Sequence, residues 1–247
     1  MKITVSILFA FILFVNSAQA ITVDEVLDSM EANENAQSAR MTMTMTVIDP
    51  SGRETVSELV SLSADKGDKS LMEYTAPARI KGMKILSLND GDDIWFYSPR
   101  TARTRKIASN QKGQSVNNSD FSYEDMSSSD RRADYHCSLV ADTVINGLSY
   151  FTIDMKPKSS DISYSRVLFY VDKKTYMPLE GRFFDESGTL WKRLFMKNVS
   201  KVGAYWTAES IEMHNVLKGS RTIMKTGRVE YDIPLDPELF SERTLKR

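Results

Sequence analysis

From Arg40 onward the chain runs on a two-residue period, and holding that period over most of its length commits it to sheet. Met41, Met43, Met45 and Val47 alternate with Thr42, Thr44 and Thr46 until Asp49-Pro50-Ser51-Gly52 turns the chain. The return run, Glu54 to Ser63, alternates as well. Asn146-Gly147, set between Asp142–Ile145 and Leu148–Lys156, is the strongest hairpin signal, because both residues accept positive φ in a type I′ turn. Asp172–Thr175 and Asp185–Gly188 separate the runs Arg166–Val171, Leu179–Phe184 and Thr189–Lys197, and Gly203 separates two more. Roughly ten strand candidates with short turns and little helix between them predict an antiparallel meander. Such a sheet must curl toward closure to protect its edges.

The same residues predict one helix before the sheet. Thr22-Val23-Asp24-Glu25 reads as a capping box, and Val23, Val26, Leu27 and Met30 fall at i, i+3, i+4 and i+7. That apolar stripe needs a surface to cover, so the helix is expected to be a lid or plug on the sheet. The Ser-rich piece from Ser109 to Ser129 interrupts the strand pattern and is expected to be a mobile loop with one or two helical turns, one capped by Ser122-x-x-Asp125.

Lys2, the apolar run Ile3 to Val15 and Ala18-Gln19-Ala20 have the order of a secretory signal peptide, giving a leader over 1–20 and a mature start at Ile21. The run falls short of the roughly 20 residues that span a bilayer. Position 21 is not cysteine, so a lipid-modified start is not expected and the product should be soluble in the periplasm. The remaining 247 − 20 = 227 residues are expected to form a single domain, 21–247, since no internal repeat or long linker divides them. Cys137 is the sole cysteine, which excludes an intrachain disulfide; it reads as a buried, inert thiol in preference to a reactive one. With Lys2 removed, 31 basic residues face 33 acidic ones, a balance of −2 that offers nothing to nucleic acid.

Catalytic chemistry has little to work with. The histidines are His136 and His214; His136 and Cys137 are adjacent, which on a strand sends them to opposite faces. His214 lacks the spaced partners of a zinc site, and no P-loop, nucleophile elbow or dinucleotide fingerprint is present. Asp90, Asp92, Asp93, Asp120, Glu124 and Asp125 fit no EF-hand spacing and read as solvated turn and helix-start residues. The expectation is a protein that is not an enzyme and holds no metal or cofactor.

Other residues favour an apolar ligand. After the leader 13 − 1 = 12 methionines remain, several at strand positions, among them Met41, Met43, Met45, Met155, Met196 and Met213. Methionine is a poor strand former whose flexible thioether suits a surface that adapts to apolar shapes; ordinary core filling is the alternative reading for each of them, less so for the Met41, Met43, Met45 row. The strand Ile94-Trp95-Phe96-Tyr97 is apolar on both parities, and either parity could face a cavity. Behind it, Arg100, Arg103, Arg105 and Lys106 either grip a lipid phosphate or an acidic partner, or deter aggregation at a sheet edge.

The order Asp90-Gly91-x-x-x-Trp95-Phe96-Tyr97-x-Pro99, followed by Ser119-Asp120-Phe121-Ser122-Tyr123-Glu124-Asp125, resembles the LolA-like family of periplasmic proteins, the outer-membrane lipoprotein-sorting proteins. The tail Tyr231 to Ser241 is similar to that family's closing segment, and the longer loop with Ser119 to Met126 resembles the subgroup that accompanies RND-type exporters. The resemblance implies a mainly β (α+β) fold, an incomplete antiparallel β-barrel wrapped around a helical lid. It implies a carrier that buries lipid or lipoprotein acyl chains and moves them toward the outer membrane, between an inner-membrane exporter of RND or ABC type and an outer-membrane acceptor. The alternative on the same fold is a periplasmic adaptor that senses lipid and binds an exporter or a sigma-factor regulator. On this reading Met41, Met43, Met45, Ile94, Trp95, Phe96, Tyr97 and Phe121 line the cavity, and Arg100, Arg103, Arg105 and Lys106 meet a headgroup or partner. The arginine with which the founding carrier holds its lid closed is not carried over onto any residue here.

Overall fold

A computed structural model describes residues 21–34, 36–127 and 130–246. The expected leader, 1–20, lies outside the described residues, as do Ser128 and Ser129 of the Ser-rich piece. The first element is α1 (Val23–Glu34), entered through the expected capping box: the Glu25 amide donates to Thr22 Oγ1 at 3.2 Å, and the Thr22 amide donates to the Glu25 carboxylate at 2.7 Å. Val26, Leu27 and Met30 are sealed from water on its inner stripe, which packs against strands described below as β7 and β12.

Thirteen strands follow in one antiparallel sheet. They are β1 (Ser38–Ile48), β2 (Glu54–Ala64), β3 (Lys69–Ala76), β4 (Lys84–Leu88), β5 (Asp93–Ser98) and β6 (Arg103–Lys106), then β7 (Tyr135–Ile145), β8 (Leu148–Pro157), β9 (Arg166–Asp172), β10 (Pro178–Phe184), β11 (Leu190–Val202), β12 (Tyr205–Asn215) and β13 (Ser220–Tyr231). The count exceeds the roughly ten expected from periodicity because β4 and β6 are too short to carry a pattern of their own. Every pairing joins neighbours in sequence except β1 with β13, which meet in the middle of the sheet. Asn146 and Gly147 take the positive φ angles, 51° and 79°, that the β7–β8 turn demands.

The β1–β13 seam contains a bulge between Met41 and Met43. Gly227 lies opposite it, where a Cβ would stand 2.6 Å from Thr42 Oγ1, and that hydroxyl instead accepts the Arg228 amide at 2.9 Å. The two ends of the sheet, β6 and β7, do not pair, so the barrel is incomplete. The chain between them, 107–134, contains the short helices α2 (Tyr123–Met126) and α3 (Arg131–Asp134). The stretch expected as a mobile loop with one or two helical turns has the turn capped by Ser122 and also a buried apolar set. Ile107, Val116, Phe121 and Tyr123 are buried in the main core, so it crosses the interior. Its apolar residues are few and widely spaced, which hides them from a periodicity reading.

A second core lies on the opposite face of β3 and β4, where Leu71 and Leu86 meet Phe240 and Leu245 of the C-terminal tail. Leu62, Trp95 and Tyr97 pack into it.

Candidate functional site

The interior segment is pinned to the sheet by buried polar contacts. Asp120 accepts the hydroxyls of Ser220 and Thr222 and donates its amide to Thr222 Oγ1 at 2.8 Å. At α2, Ser122 and Asp125 form the expected capping box, with the Asp125 amide 3.1 Å from Ser122 Oγ and the Ser122 amide 2.8 Å from the Asp125 carboxylate. The same carboxylate takes the Tyr164 hydroxyl at 2.7 Å and the Lys192 ammonium at 2.9 Å. Asp120 and Asp125 are thus buried anchors, a correction to their reading as solvated residues. Asp93 pairs with Lys106, and Asp92 lies 3.8 Å from Lys112.

Between this segment and the sheet opens a cavity of about 740 Å³. Its wall is apolar: Phe169, Phe183, Leu194 and Ile211 stand beside six methionines, Met72, Met126, Met155, Met196, Met213 and Met224. The cross-strand registers place them together, with Met196 opposite Ile211, Ile211 opposite Met224, and Leu194 opposite Met213. The rim is charged. It carries Asp65, Lys66, Asp68 and Asp90 from the turns after β2 and β4, Glu124, Asp130, Arg131, Arg132 and Asp134 from the interior segment, and Glu31 from α1. Burial pushes the carboxyls of Asp90, Glu124 and Asp134 up from their ordinary values, and neighbouring carboxylates add to each shift.

α1 is held down by one arginine. Arg132 of α3 reaches Asp28 and Glu31 with its terminal nitrogens and lies 3.6 Å from Asp24, so it spans three acids on one face of the helix. The end of α1 is tied separately by Asn33, whose amide donates to the Thr175 carbonyl at 2.6 Å.

The residues expected at the cavity are divided by the structure. Phe121 lies on its wall. Ile94 and Phe96 face the same interior, with Phe96 edge-on to Tyr123 at 6.2 Å. Trp95 and Tyr97 face the opposite way, under the C-terminal tail, so only one parity of that strand looks inward. The methionines of β1 stand off the cavity: Met45 is fully buried with the Tyr74 hydroxyl 3.8 Å from its sulfur, Met43 is half-buried against the core, and Met41 lies nearer the end of the strand. Leu59 lies beside Met43 across the β1–β2 pairing, and Tyr74 lies beside Leu59 across β2 and β3.

Arg103, Arg105 and Lys106 sit on the edge strand β6, paired on one side with β5, and Arg100 is exposed in the turn before it. Arg105 lies over the Phe96 ring at 5.3 Å and donates to the Tyr123 hydroxyl at 3.3 Å. His136 is exposed, and Cys137, on the other face, is half-buried with its thiol pushed up by desolvation. His214 bonds Glu212 at 3.0 Å. Among the described residues no group of three or more His, Cys, Asp or Glu is arranged to hold a metal ion.

Tyr135, Tyr164, Arg132 and Lys192 were not singled out by the sequence. Tyr164, Arg132 and Lys192 act on partners far along the chain, Tyr135 lines the cavity, and no local pattern marks any of them.

A family model described as "-like: Uncharacterized protein" matches residues 66–247. A domain from Vibrio parahaemolyticus named as an outer membrane lipoprotein-sorting protein is 26% identical, with 90% of this chain and 97% of that one covered and a TM-score of 0.84. This chain belongs to the family of that model, and its fold is LolA-like. A DUF1329 family protein from Desulfovibrio piger is 25% identical over 92% of this chain and 100% of its own, with a TM-score of 0.83. A LolA superfamily protein from Nitrosomonas europaea shares the LolA-like fold at 21% identity and a TM-score of 0.77, covering 91% of this chain and 100% of its own. A search of curated proteins finds no match. No helix among the described residues is long and apolar enough to cross a membrane.

Proposed function

We propose that this LolA-like protein is a periplasmic carrier that buries the acyl chains of a lipid or lipoprotein and passes them toward the outer membrane. The observation that carries the reading is the cavity of about 740 Å³, apolar and methionine-rich in its depth and charged at its rim. That volume lies within the roughly 300–1,000 Å³ of small-molecule sites. Its thioethers can repack around chains of different shape without opening voids. Burial is worth about 0.8 kcal/mol per methylene, so a chain held there needs a path of exit. The helix α1, fastened by the half-buried Arg132 to the exposed Asp24 and Asp28, supplies a part that can move without unmaking the sheet. An inner-membrane exporter of RND or ABC type would load the carrier, and an outer-membrane acceptor would unload it; the likeness to the lipoprotein-sorting domain supports that direction.

The test is native mass spectrometry with lipid extraction on protein taken from the periplasm without detergent. A co-purifying lipid or acylated peptide that transfers to vesicles supports the carrier. A protein that takes up neither extracted lipids nor acylated peptides refutes it.

A further inference from the structure

Tyr135 lies at the junction of α3 and β7, lines the cavity and is 9% exposed, yet its hydroxyl has no hydrogen-bond partner among the described residues. A phenol buried to that degree ordinarily finds one. Glu124, Asp125 and Asp134 are the charges that act on it. Of these, Asp125 is satisfied by Lys192. Glu124 meets the neutral Ser163, whose amide lies 3.3 Å away, and Asp134 has no ion-pair partner within 4 Å among the described residues; Asp68, Asp90 and Asp130 along the rim also lack one, Asp68 accepting the Asp90 amide and Asp130 those of Arg132 and Ala133.

The basic groups nearby are engaged in other ways or stand in solvent. Arg132 is spread over the acids of α1, Arg131 lies over the Phe169 ring at 5.7 Å, and Lys112 lies beside Asp92. Lys66 is exposed. The mouth of an apolar cavity therefore presents carboxylates in excess of cations, with the unpartnered hydroxyl of Tyr135 among them.

We propose that the amphiphile this cavity takes carries a primary ammonium group next to its acyl chain, held at the rim by Tyr135, Glu124 and Asp134. The inference rests on the carrier reading and narrows its cargo. An ammonium brings three N–H donors to a site of carboxylates and a phenol oxygen, whereas a carboxylate or phosphate alone would meet like charge. Desolvation pushes the carboxyls of Glu124 and Asp134 up, and the charge of an arriving cation offsets that penalty by favouring their ionised forms.

The experiment compares dodecylamine, dodecyltrimethylammonium, dodecanol and dodecanoate by displacement of a fluorescent acyl probe from the full chain expressed in an exporting bacterium. Dodecylamine is expected to bind about tenfold tighter than dodecanol, about 1.4 kcal/mol. Dodecanoate should bind weakest, and the trimethylated probe, which cannot donate, should fall between amine and alcohol. Glu124→Gln, Asp134→Asn and Tyr135→Phe should each erode the preference for the amine while leaving dodecanol binding in place. Equal affinity for amine, alcohol and carboxylate overturns the ammonium site and leaves the carrier standing. Binding of none of the four overturns both. If a variant loses dodecanol binding through misfolding, the ranking on the unmodified protein decides. Lysophosphatidylethanolamine and an acylated, lysine-bearing peptide then separate the two sources of the ammonium, lipid headgroup and polypeptide.

Discussion

Lys192 and Asp125, 67 positions apart in the chain, meet at 2.9 Å with side chains only 4% and 5% exposed, and this contact fastens the interior segment to β11. Removing one partner leaves the other charge buried without compensation, which costs about 3–5 kcal/mol, while replacing both by apolar or neutral groups costs less. Lys192→Met and Asp125→Asn should each lower the urea midpoint substantially, and the double variant should be more stable than the sum of the single losses allows. Additive losses in that cycle would show that the pair does not act as a unit.

Arg132→Ala should free α1 while sparing the barrel. The ion pairs it makes are partly solvated, so the global loss should stay within about 1 kcal/mol. Amide exchange along α1 should nonetheless quicken well beyond that of β12, and a fluorescent acyl probe should enter faster. Unchanged exchange in α1 would mean that its apolar stripe alone holds it.

The methionines of β1 and those of the cavity should separate by phenotype. Met45→Ala removes a fully buried side chain and should cost about 2–5 kcal/mol with little effect on ligand affinity. Ile211→Trp, at a half-buried wall position, should abolish acyl-probe binding in a protein that still unfolds cooperatively. Retained binding in the tryptophan variant would put the ligand elsewhere.

Glu124 gives a pH dependence with a definite sign. Its folded-state pKa is raised, chiefly by burial, so the folded protein binds its proton more tightly than the unfolded chain does. Stability therefore falls as pH rises from the unfolded carboxylate value through the higher folded one. Glu124→Gln should stabilise the protein at neutral pH, with the gain fading below the ordinary glutamate value. Thermal melts of both proteins across that range would show it, and a gain independent of pH would assign the effect to packing.

The parts of this molecule that depend on near neighbours could be read from the chain. Thr22 with Glu25, Ser122 with Asp125 and the Asn146-Gly147 turn involve residues one to three apart, and each forms as its local chemistry requires. The choice of face for Ile94 to Tyr97 could not be read, because both parities are apolar and the decision is made by Phe240 and Leu245 of a tail far along the chain. Methionine enrichment pointed to an adaptable apolar wall. Of the six on the cavity wall, five come from β3, β8, β11, β12 and β13, and the sixth, Met126, from α2, so no single run of sequence contains the surface. Arg132 looks like any surface base until the acids of α1, over a hundred positions earlier, are set beside it.

The pairing of β1 with β13 also has a meaning in time. Each other strand can find its partner as soon as the next hairpin is made, whereas this seam joins Ala39 to Tyr231 and waits for nearly the whole polypeptide. A chain emerging amino end first during synthesis would hold two growing half-sheets with raw inner borders until its last strand arrives. The final dozen residues of sheet therefore govern when the molecule becomes safe from self-association.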